Sequence, residues 1–272
     1  MTLNRKTLFI SGGSRGIGLE IALRAARDGA NVALIAKTGE PHPRLPGTVF
    51  TAAEEIEAAG GHALPIVGDI RDEMGVGAAV AATVERFGGV DVCVNNASAI
   101  DLSGTEALEM KRYDLMQDIN TRGTFVVSRA CIPHLRAAEN PHILTLSPPV
   151  RLEPEWLKPT AYMMAKYGMS LCALAMAEEL REDGIASNTL WPRTLVATAA
   201  VQNLLGGDEA MAKSRTPEIM GDAAHAVLAR APMEQTGQEL IDDEVLAAIG
   251  ITDLSPYQHG DGADLQPDIF LD

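Results

Sequence analysis

Tyr162 and Lys166 are the residues of this sequence best placed to do chemistry. In Tyr162-Met-Met-Ala-Lys166 the two side chains share one helix face, because four residues make about one turn. A free phenol titrates near ~10 and is a poor proton carrier at neutral pH. A neighbouring ammonium stabilises the phenolate and is expected to draw that value down into the useful range. The same spacing also suits a plain amphipathic helix. Position favours chemistry: the pair follows the fifth apolar run, at the carboxyl edge where parallel sheets bind ligands.

A second feature lies near the start. Ser11-Gly12-Gly13-Ser14-Arg15-Gly16-Ile17-Gly18 follows the first apolar run and opens the first helical stretch. Glycine permits a tight turn and close approach of backbone to phosphate, and the helix start adds free N–H groups. A glycine-rich match alone is weak; a strand before it and a helix after it make a dinucleotide site. Gly12, Ser14, Arg15, Gly16, Ile17 and Gly18 are the candidate pyrophosphate cradle.

Sites that hold the ribose 2′-hydroxyl of NAD carry an acid about 20 residues further on. Here the second apolar run ends in Ala36-Lys37-Thr38. Lys37, flanked by Arg15, suits a 2′-phosphate, so NADP(H) is the expected cofactor and NAD the alternative. A solvated lysine and a loop arginine facing water are the plainer readings. His42 and Arg44 are candidates to close over the adenosine end, although loop polarity accounts for them equally. Asp69 is placed either to accept from an adenine amino group or to cap the next helix.

The elements that must position these residues alternate along the chain. Strands are read at Thr7 to Ile10, Asn31 to Ala36, His62 to Val67, Val90 to Val94, His142 to Leu146 and Ile185 to Leu190, with a seventh near Glu239 to Asp242. Helical patterns are read at about Ile17 to Asp28, Ala52 to Ala59, around Val76, Val80 and Val84, Thr105 to Leu135, and Thr160 to Arg181. This alternation predicts an α/β fold: a doubly wound, Rossmann-type parallel sheet of about seven strands with helices on both faces. Lys37 to Gly47 has three prolines and two glycines, and is expected to be a long loop. One domain over residues 1–250 is expected, with an irregular acidic tail over 251–272 packed on it.

Composition narrows the function. The chain has 272 residues, 46% hydrophobic and only 4% aromatic, which suits a core of aliphatic side chains. The formal net charge is −15, and no Lys or Arg follows Arg230. Such a surface repels nucleic acid and anionic membranes. Cys93, Cys131 and Cys172 lack a CxxC spacing, so neither a metal site nor a disulfide framework is expected. No apolar run nears the ~18–20 residues of a membrane span, and no secretory leader is read at the start. A cytoplasmic enzyme for a small-molecule substrate is expected.

Taken together, these motifs resemble the short-chain dehydrogenase/reductase family along nearly the whole chain. The glycine loop, Asn95-Asn96-Ala97, Asn120 in Ile-Asn-Thr-Arg-Gly, Tyr162 with Lys166, and Asn188 with Pro192 carry the resemblance. A finer likeness is to the hydroxysteroid dehydrogenase-like protein 2 group. Pro41-His-Pro43, Leu146-Ser-Pro-Pro149, Leu190-Trp-Pro192, Leu265-Gln-Pro-Asp268 and Phe270-Leu-Asp272 carry it. The lipid-linked domain that some members append is expected to be absent, the sequence ending at Asp272.

The resemblance implies roles. Tyr162 would give or take the proton, and Lys166 would tune it and hold the nicotinamide ribose. Asn120 would keep a water in a relay from Lys166. Asn95, Ala97 and Pro192 would line the cofactor cleft, although Asn95-Asn96 also reads as a turn ending a strand. A homodimer or homotetramer is implied, and the small faces of Ala173, Ala175 and Ala177 would permit close packing.

Three departures stand out. The family's substrate-polarising serine is expected about 13 residues before the tyrosine, but the stretch reads Ser147-Pro148-Pro149. Ser147 is the candidate substitute; a strand-end serine bonded to backbone is the alternative. Arg193 replaces a usual glycine and would put a cation by the nicotinamide, unless it turns to solvent. Ser98 also stands where glycine is usual. A hydrophobic substrate is expected, flanked by Leu152, Trp156, Met163, Leu195 and Val196. The rival from another class is a nucleotide-binding regulatory or scaffolding protein with impaired turnover.

Overall fold

Parallel strands covered on both faces read as short apolar runs, and seven of them form one sheet in the computed structural model, which describes residues 2–43, 45–260 and 264–271. They are Thr7–Ser11 (β1), Asn31–Ala36 (β2), His62–Val67 (β3), Val92–Asn95 (β4), His142–Thr145 (β5), Ala186–Trp191 (β6) and Glu239–Ile241 (β7). Their order is β3-β2-β1-β4-β5-β6-β7, every pair parallel. The chain reverses its direction of travel between β1 and β4, and there the carboxyl ends splay into a crevice. Ser11 is level with Ile35 of β2 and Asn95 of β4, so that edge is nearly flush.

Two helical layers cover the sheet. Gly16–Ala26 (α1), Val49–Ala58 (α2) and Glu218–Leu228 (α8) bury Ile21, Ile56, Ala223 and Val227 against Leu8, Val32 and Leu144. On the other face Glu73–Phe87 (α3), Gly123–Leu135 (α5) and Thr160–Glu179 (α6) bury Val80, Val127 and Met176 against Phe9, Ala33 and Ile143. Backbones approach closely where α1 meets α8. A Cβ on Gly221 would lie 2.8 Å from the Glu20 carbonyl oxygen.

Several boundaries differ from the sequence reading. The second helix begins at Val49 rather than Ala52, because Thr48 caps it. Its hydroxyl accepts from the Phe50 and Thr51 amides, and the Thr51 hydroxyl accepts from the Thr48 amide. The stretch from Thr105 is helical only from Met110–Met116 (α4) onward, and a π-helical segment, Gln117–Arg122, joins it to α5. The sequence reading also passed over residues between β6 and β7. These hold a π-helical turn at Val201–Leu205, Gly207–Ala212 (α7) and α8, with Asp242–Ala248 (α9) following β7. The loop after β2 is irregular, as its prolines dictate.

The C-terminal segment returns to the carboxyl edge. Thr194 bridges Pro267 in antiparallel fashion, the Leu195 amide donates to Gln266, and the Asp268 amide donates to Arg193. Phe270 ends fully buried. No helix among the described residues is long and apolar enough to cross a membrane.

Candidate active site

Two adjoining cavities open along the carboxyl edge. The outer cleft, about 700 Å³, runs past the glycine loop, Lys37, Asp69 and Ala97. The inner chamber, about 180 Å³, is walled by Tyr162, Lys166, Trp191, Pro192 and Asp268. Ile17, Asn96, Ser98 and Thr198 line both.

The cleft floor is shaped for close approach. Gly12 has φ +72°, and a Cβ there would come within 2.8 Å of Ala97 Cα. Gly16 has φ +57° at the start of α1. Gly18 is buried beneath the loop, where a Cβ would strike Asn96 Nδ2 at 2.5 Å. Asn96 needs that space: its Nδ2 donates to Ser11 and Gly12 carbonyls at 3.2 and 2.9 Å. A cradle this tight, at a helix N-terminus, fits a dinucleotide pyrophosphate.

Asn95 and Asn96 exchange the expected parts. Asn95 lies inside the sheet, donating to Ser128 Oγ at 2.8 Å, and lines neither cavity. Asn96 and Ala97 face the cleft instead. The reason is the alternation of side chains along β4, which sends Asn95 toward α5.

At the adenosine end Arg15, partly exposed, lines the same cleft as Lys37. Its guanidinium donates to the Pro46 and Gly47 carbonyls at 2.7 and 2.9 Å, pinning the proline-rich loop. His42 lines the outer cleft, and Arg44 lies outside the described residues. Asp69 grips Arg71 at 2.6 Å and Lys37 at 3.2 Å. The Arg71 hydrogen bond holds its carboxyl well below the usual carboxylate range. The cap of α3 is Asp72, which accepts from the Met74 amide, rather than Asp69.

In the chamber, Tyr162 and Lys166 lie buried on one face of α6. Lys166 Nζ donates to the Leu146 carbonyl at 2.6 Å and sits 4.7 Å over the Trp191 ring. The Tyr162 ring stacks on Phe270 at 5.9 Å. The phenol is not drawn down as the sequence suggested. Burial pushes its pKa up, and the charge of Asp268 pushes it further. Burial lowers Lys166 to about 7, partly opposed by Asp268. Burial therefore dominates both groups, favouring the neutral phenol and the neutral amine.

Asn120 lies in the π-helical segment, fully buried, with both side-chain polar atoms bonded to the backbone of Ala99. Ser147 is fully buried, lines neither cavity, and its hydroxyl has no partner among the described residues. Pro148 follows it, its carbonyl accepting from Ser170 Oγ at 2.6 Å. Arg193 lines neither cavity; it bonds Asp243 and Glu244 at the start of α9 in a partly exposed ion pair, so the nicotinamide-cation reading does not describe it. Of the expected flanking residues, Val196 lines the chamber; Leu195 packs beneath it with Val201, and Leu152 is exposed. Ala173 and Ala177 face inward, within the fold.

Two lining residues were given no place in the cleft by the sequence reading: Asn96, quoted only within the Asn95-Asn96-Ala97 motif, and Thr198, in the segment after β6. Asp268 and Phe270 had no local signal beyond their place in a segment resembling a known group.

The family model for short chain dehydrogenases matches residues 6–207. The chain is 56% identical to hydroxysteroid dehydrogenase-like protein 2 of Danio rerio over 98% of its own length and 64% of the relative's. The Xenopus tropicalis protein of that name is 55% identical, over 98% of this chain and 63% of the relative. The chain thus spans less than two thirds of the length of these relatives. A solved short chain dehydrogenase from Mycobacterium thermoresistibile is 66% identical, with TM-score 0.95 over 100% of this chain and 96% of that one. With the glycine cradle, the Tyr162–Lys166 pair and these likenesses together, the chain belongs to the short-chain dehydrogenase/reductase family, oxidoreductases that bind a nicotinamide cofactor.

Proposed function

We propose that this chain is an NADP(H)-dependent oxidoreductase interconverting an alcohol and a carbonyl on a hydrophobic substrate. One observation carries the reading: a buried phenol and amine share a chamber that adjoins the glycine-lined cleft. The nicotinamide, when bound, supplies or accepts the hydride. Gly12, Ser14, Gly16 and Ile17 hold its pyrophosphate, Ala97 walls the cleft, and Pro192 and Thr198 bound the chamber. Tyr162 gives its hydroxyl proton to the substrate oxygen in reduction and takes it back in oxidation. Lys166 favours the phenolate and bonds the ribose, with Asn120 in the segment behind. Ser147 has no part in this reading as the chain stands, because its hydroxyl lies outside the chamber.

Lys37 supports NADP(H): it follows β2 directly, with its side chain 61% exposed at the cleft, where NAD sites carry an acid. Asp69 beside it favours a second reading, an NAD-linked enzyme, by neutralising part of that charge. Trp191, Val196, Val201, Leu205 and Met220 give the chamber apolar walls. The relatives' name, hydroxysteroid dehydrogenase-like, makes hydroxysteroids and their ketones the first substrates to try. Residues 1–250 form the catalytic unit and the segment after them completes its chamber. Residues of α5 and α6, including Phe125, Leu171 and Ala175, line an outer groove suited to a second copy of the chain. A cytoplasmic setting, with reduced cysteines, fits this chemistry.

Two measurements test the reading. NADPH oxidation across a broad carbonyl panel is expected in the wild type, with Tyr162→Phe losing about 10²–10⁴-fold in kcat while keeping cofactor affinity. Equal turnover by the variant removes the mechanism, and binding without turnover by the wild type favours a regulatory protein. NADPH is expected to bind the wild type more tightly than NADH, with Lys37→Ala losing most of that preference. Tighter NADH binding by the wild type establishes the NAD-linked alternative.

A further inference from the structure

The chamber holds a third ionisable side chain that the hydride-transfer reading leaves unused. Asp268 reaches it from the C-terminal segment, far along the chain from Tyr162 and Lys166, and lines its wall with them. Its placement is fixed at several points. The Asp268 amide donates to the Arg193 carbonyl at 3.0 Å, and Trp191 Nε1 donates to Asp268 Oδ1 at 2.8 Å. Phe270, two residues on, is locked between the rings of Tyr162, Tyr167 and Trp191, with centroids 5.5–6.0 Å away. The same indole therefore organises two opposite charges: its face meets Lys166 Nζ at 4.7 Å, and its N–H holds the carboxyl.

Lys166 needs such a partner. Its close contacts are a carbonyl oxygen at 2.6 Å, the Met169 sulfur at 3.5 Å and the indole face, all formally neutral. A buried ammonium without an opposite charge tends to give up its proton. An uncharged amine cannot favour a phenolate electrostatically.

We propose that Asp268 is a positioning residue of this active site: delivered by the C-terminal segment and oriented by Trp191, its carboxylate keeps Lys166 charged beside Tyr162. The inference rests on the reading of Tyr162 and Lys166 as the proton-transfer pair. The carboxylate acts on both members of the pair: it raises Lys166 and also pushes the Tyr162 phenol up, so its benefit comes through the charge it keeps on the lysine. Burial, helped by the charge of Asp242, pushes the carboxyl up to about 7, while the Trp191 N–H, the Ile269 amide and Lys166 favour its ionised form. Asp242 is itself turned toward the Arg193 and Asp243 amides, with the charge of Arg215 acting on it. Burial draws Lys166 down to about 7, and Asp268 is the charge that pulls it back up. Without the carboxylate, burial acts on the lysine unopposed.

The test reads the lysine directly. In protein labelled with ¹³C at the lysine ε-carbons, Lys166→Arg assigns the Lys166 resonance and a pH titration gives its midpoint. Asp268→Asn keeps the Trp191 hydrogen bond and removes the charge. Its Lys166 midpoint is expected to fall by about one pH unit or more. Asp268→Glu restores part of the shift, and it keeps the test open if Asp268→Asn folds poorly. With NADPH and a turned-over carbonyl, Asp268→Asn is expected to lower kcat about tenfold at neutral pH, with KM little changed. The limb of its pH profile is expected to follow the lysine midpoint. An unmoved midpoint in folded Asp268→Asn, or an unmoved pH profile, overturns the proposal. The titration needs no substrate. A chain that binds NADPH but reduces nothing therefore sinks the oxidoreductase reading, while the coupling of Asp268 to Lys166 is still decided by the resonance.

Discussion

The two ends of the binding crevice are built by different means. The floor of the dinucleotide end is made largely from neighbours in sequence: β1, the glycine loop, α1 and β2 follow one another, and Asn96 and Ala97 after β4 close against the loop. Its chemistry is largely backbone, amides at a helix start and glycines that admit a phosphate. The chamber end is made from strangers. Tyr162 and Lys166 from α6, Trp191 from β6, and Asp268 and Phe270 from the C-terminal segment meet only when the chain is fully folded. Its chemistry is side-chain, and its charges depend on burial that no single segment can provide. Local backbone sites tolerate change elsewhere in the chain; a chamber assembled over long range depends on every piece being docked.

That contrast is sharpest at Phe270. It is fully buried and touches three other aromatic rings. Phe270→Ala is expected to cost about 3–5 kcal/mol of packing. Hydrogen exchange should show where the loss falls. The Leu195 and Asp268 amides, which tie down the C-terminal segment, are expected to lose protection, while β1 and β2 keep theirs. Uniform loss of protection through β1 and β2 would mean that the two ends unfold as one unit, and the contrast would fail.

The same division explains what could be read from the sequence. The seven strands announce themselves as short apolar runs, and the glycine loop sits between a strand and a helix, so the sheet and the phosphate cradle were legible. Tyr162 and Lys166 were legible because one helical turn joins them. Asn95 was misread because the facing direction of a side chain at a strand end depends on register by a single residue. Arg193 was misplaced because a guanidinium follows its partners, and those lie in α9; Arg15 lies on the cleft as expected, but its donors go to the proline-rich loop. The depressed phenol expected from Tyr162–Lys166 spacing failed for a related reason: spacing says nothing of burial, and burial dominates here. Asp268 was invisible because nothing near it in sequence reports that it enters the chamber.

At the dinucleotide end the corresponding break is Gly18→Ala. The added Cβ would lie 2.5 Å from Asn96 Nδ2 and 2.7 Å from the Gly12 carbonyl oxygen, so the loop or the asparagine must move. Overpacking of this kind costs about 1–3 kcal/mol. Because the displaced atoms form the cradle, dinucleotide affinity is expected to fall by about tenfold or more, each 1.4 kcal/mol being a factor of ten. The Lys166 titration midpoint is expected to stay in place. Unchanged NADPH affinity in a folded Gly18→Ala chain would show that the cradle is more compliant than its contacts indicate.

The smallest expected effect compares one carboxyl from each end. Glu20, on α1, is pushed up to about 7 by burial and by the charge of Glu218, and Asp268 is raised to about 7 by burial within the chamber. Each folded-state value lies above the unfolded one, so between about pH 4 and 7 the folded chain keeps protons that the unfolded chain has released. Stability from these groups is present below that window and is lost as pH rises through it. Glu20→Gln removes the loss at no cost to the chamber. It is expected to raise the unfolding free energy from urea titrations at pH 8 relative to pH 5, by less than about 1 kcal/mol because the group is partly solvated, with turnover unchanged. Asp268→Asn is expected to flatten the same pH dependence but to lower turnover, because its charge has a partner in Lys166. Were the two variants to behave alike in turnover, the chamber would depend on Asp268 no more than on a carboxyl at the seam of α1 and α8, and Asp268 would be a buried acid like any other.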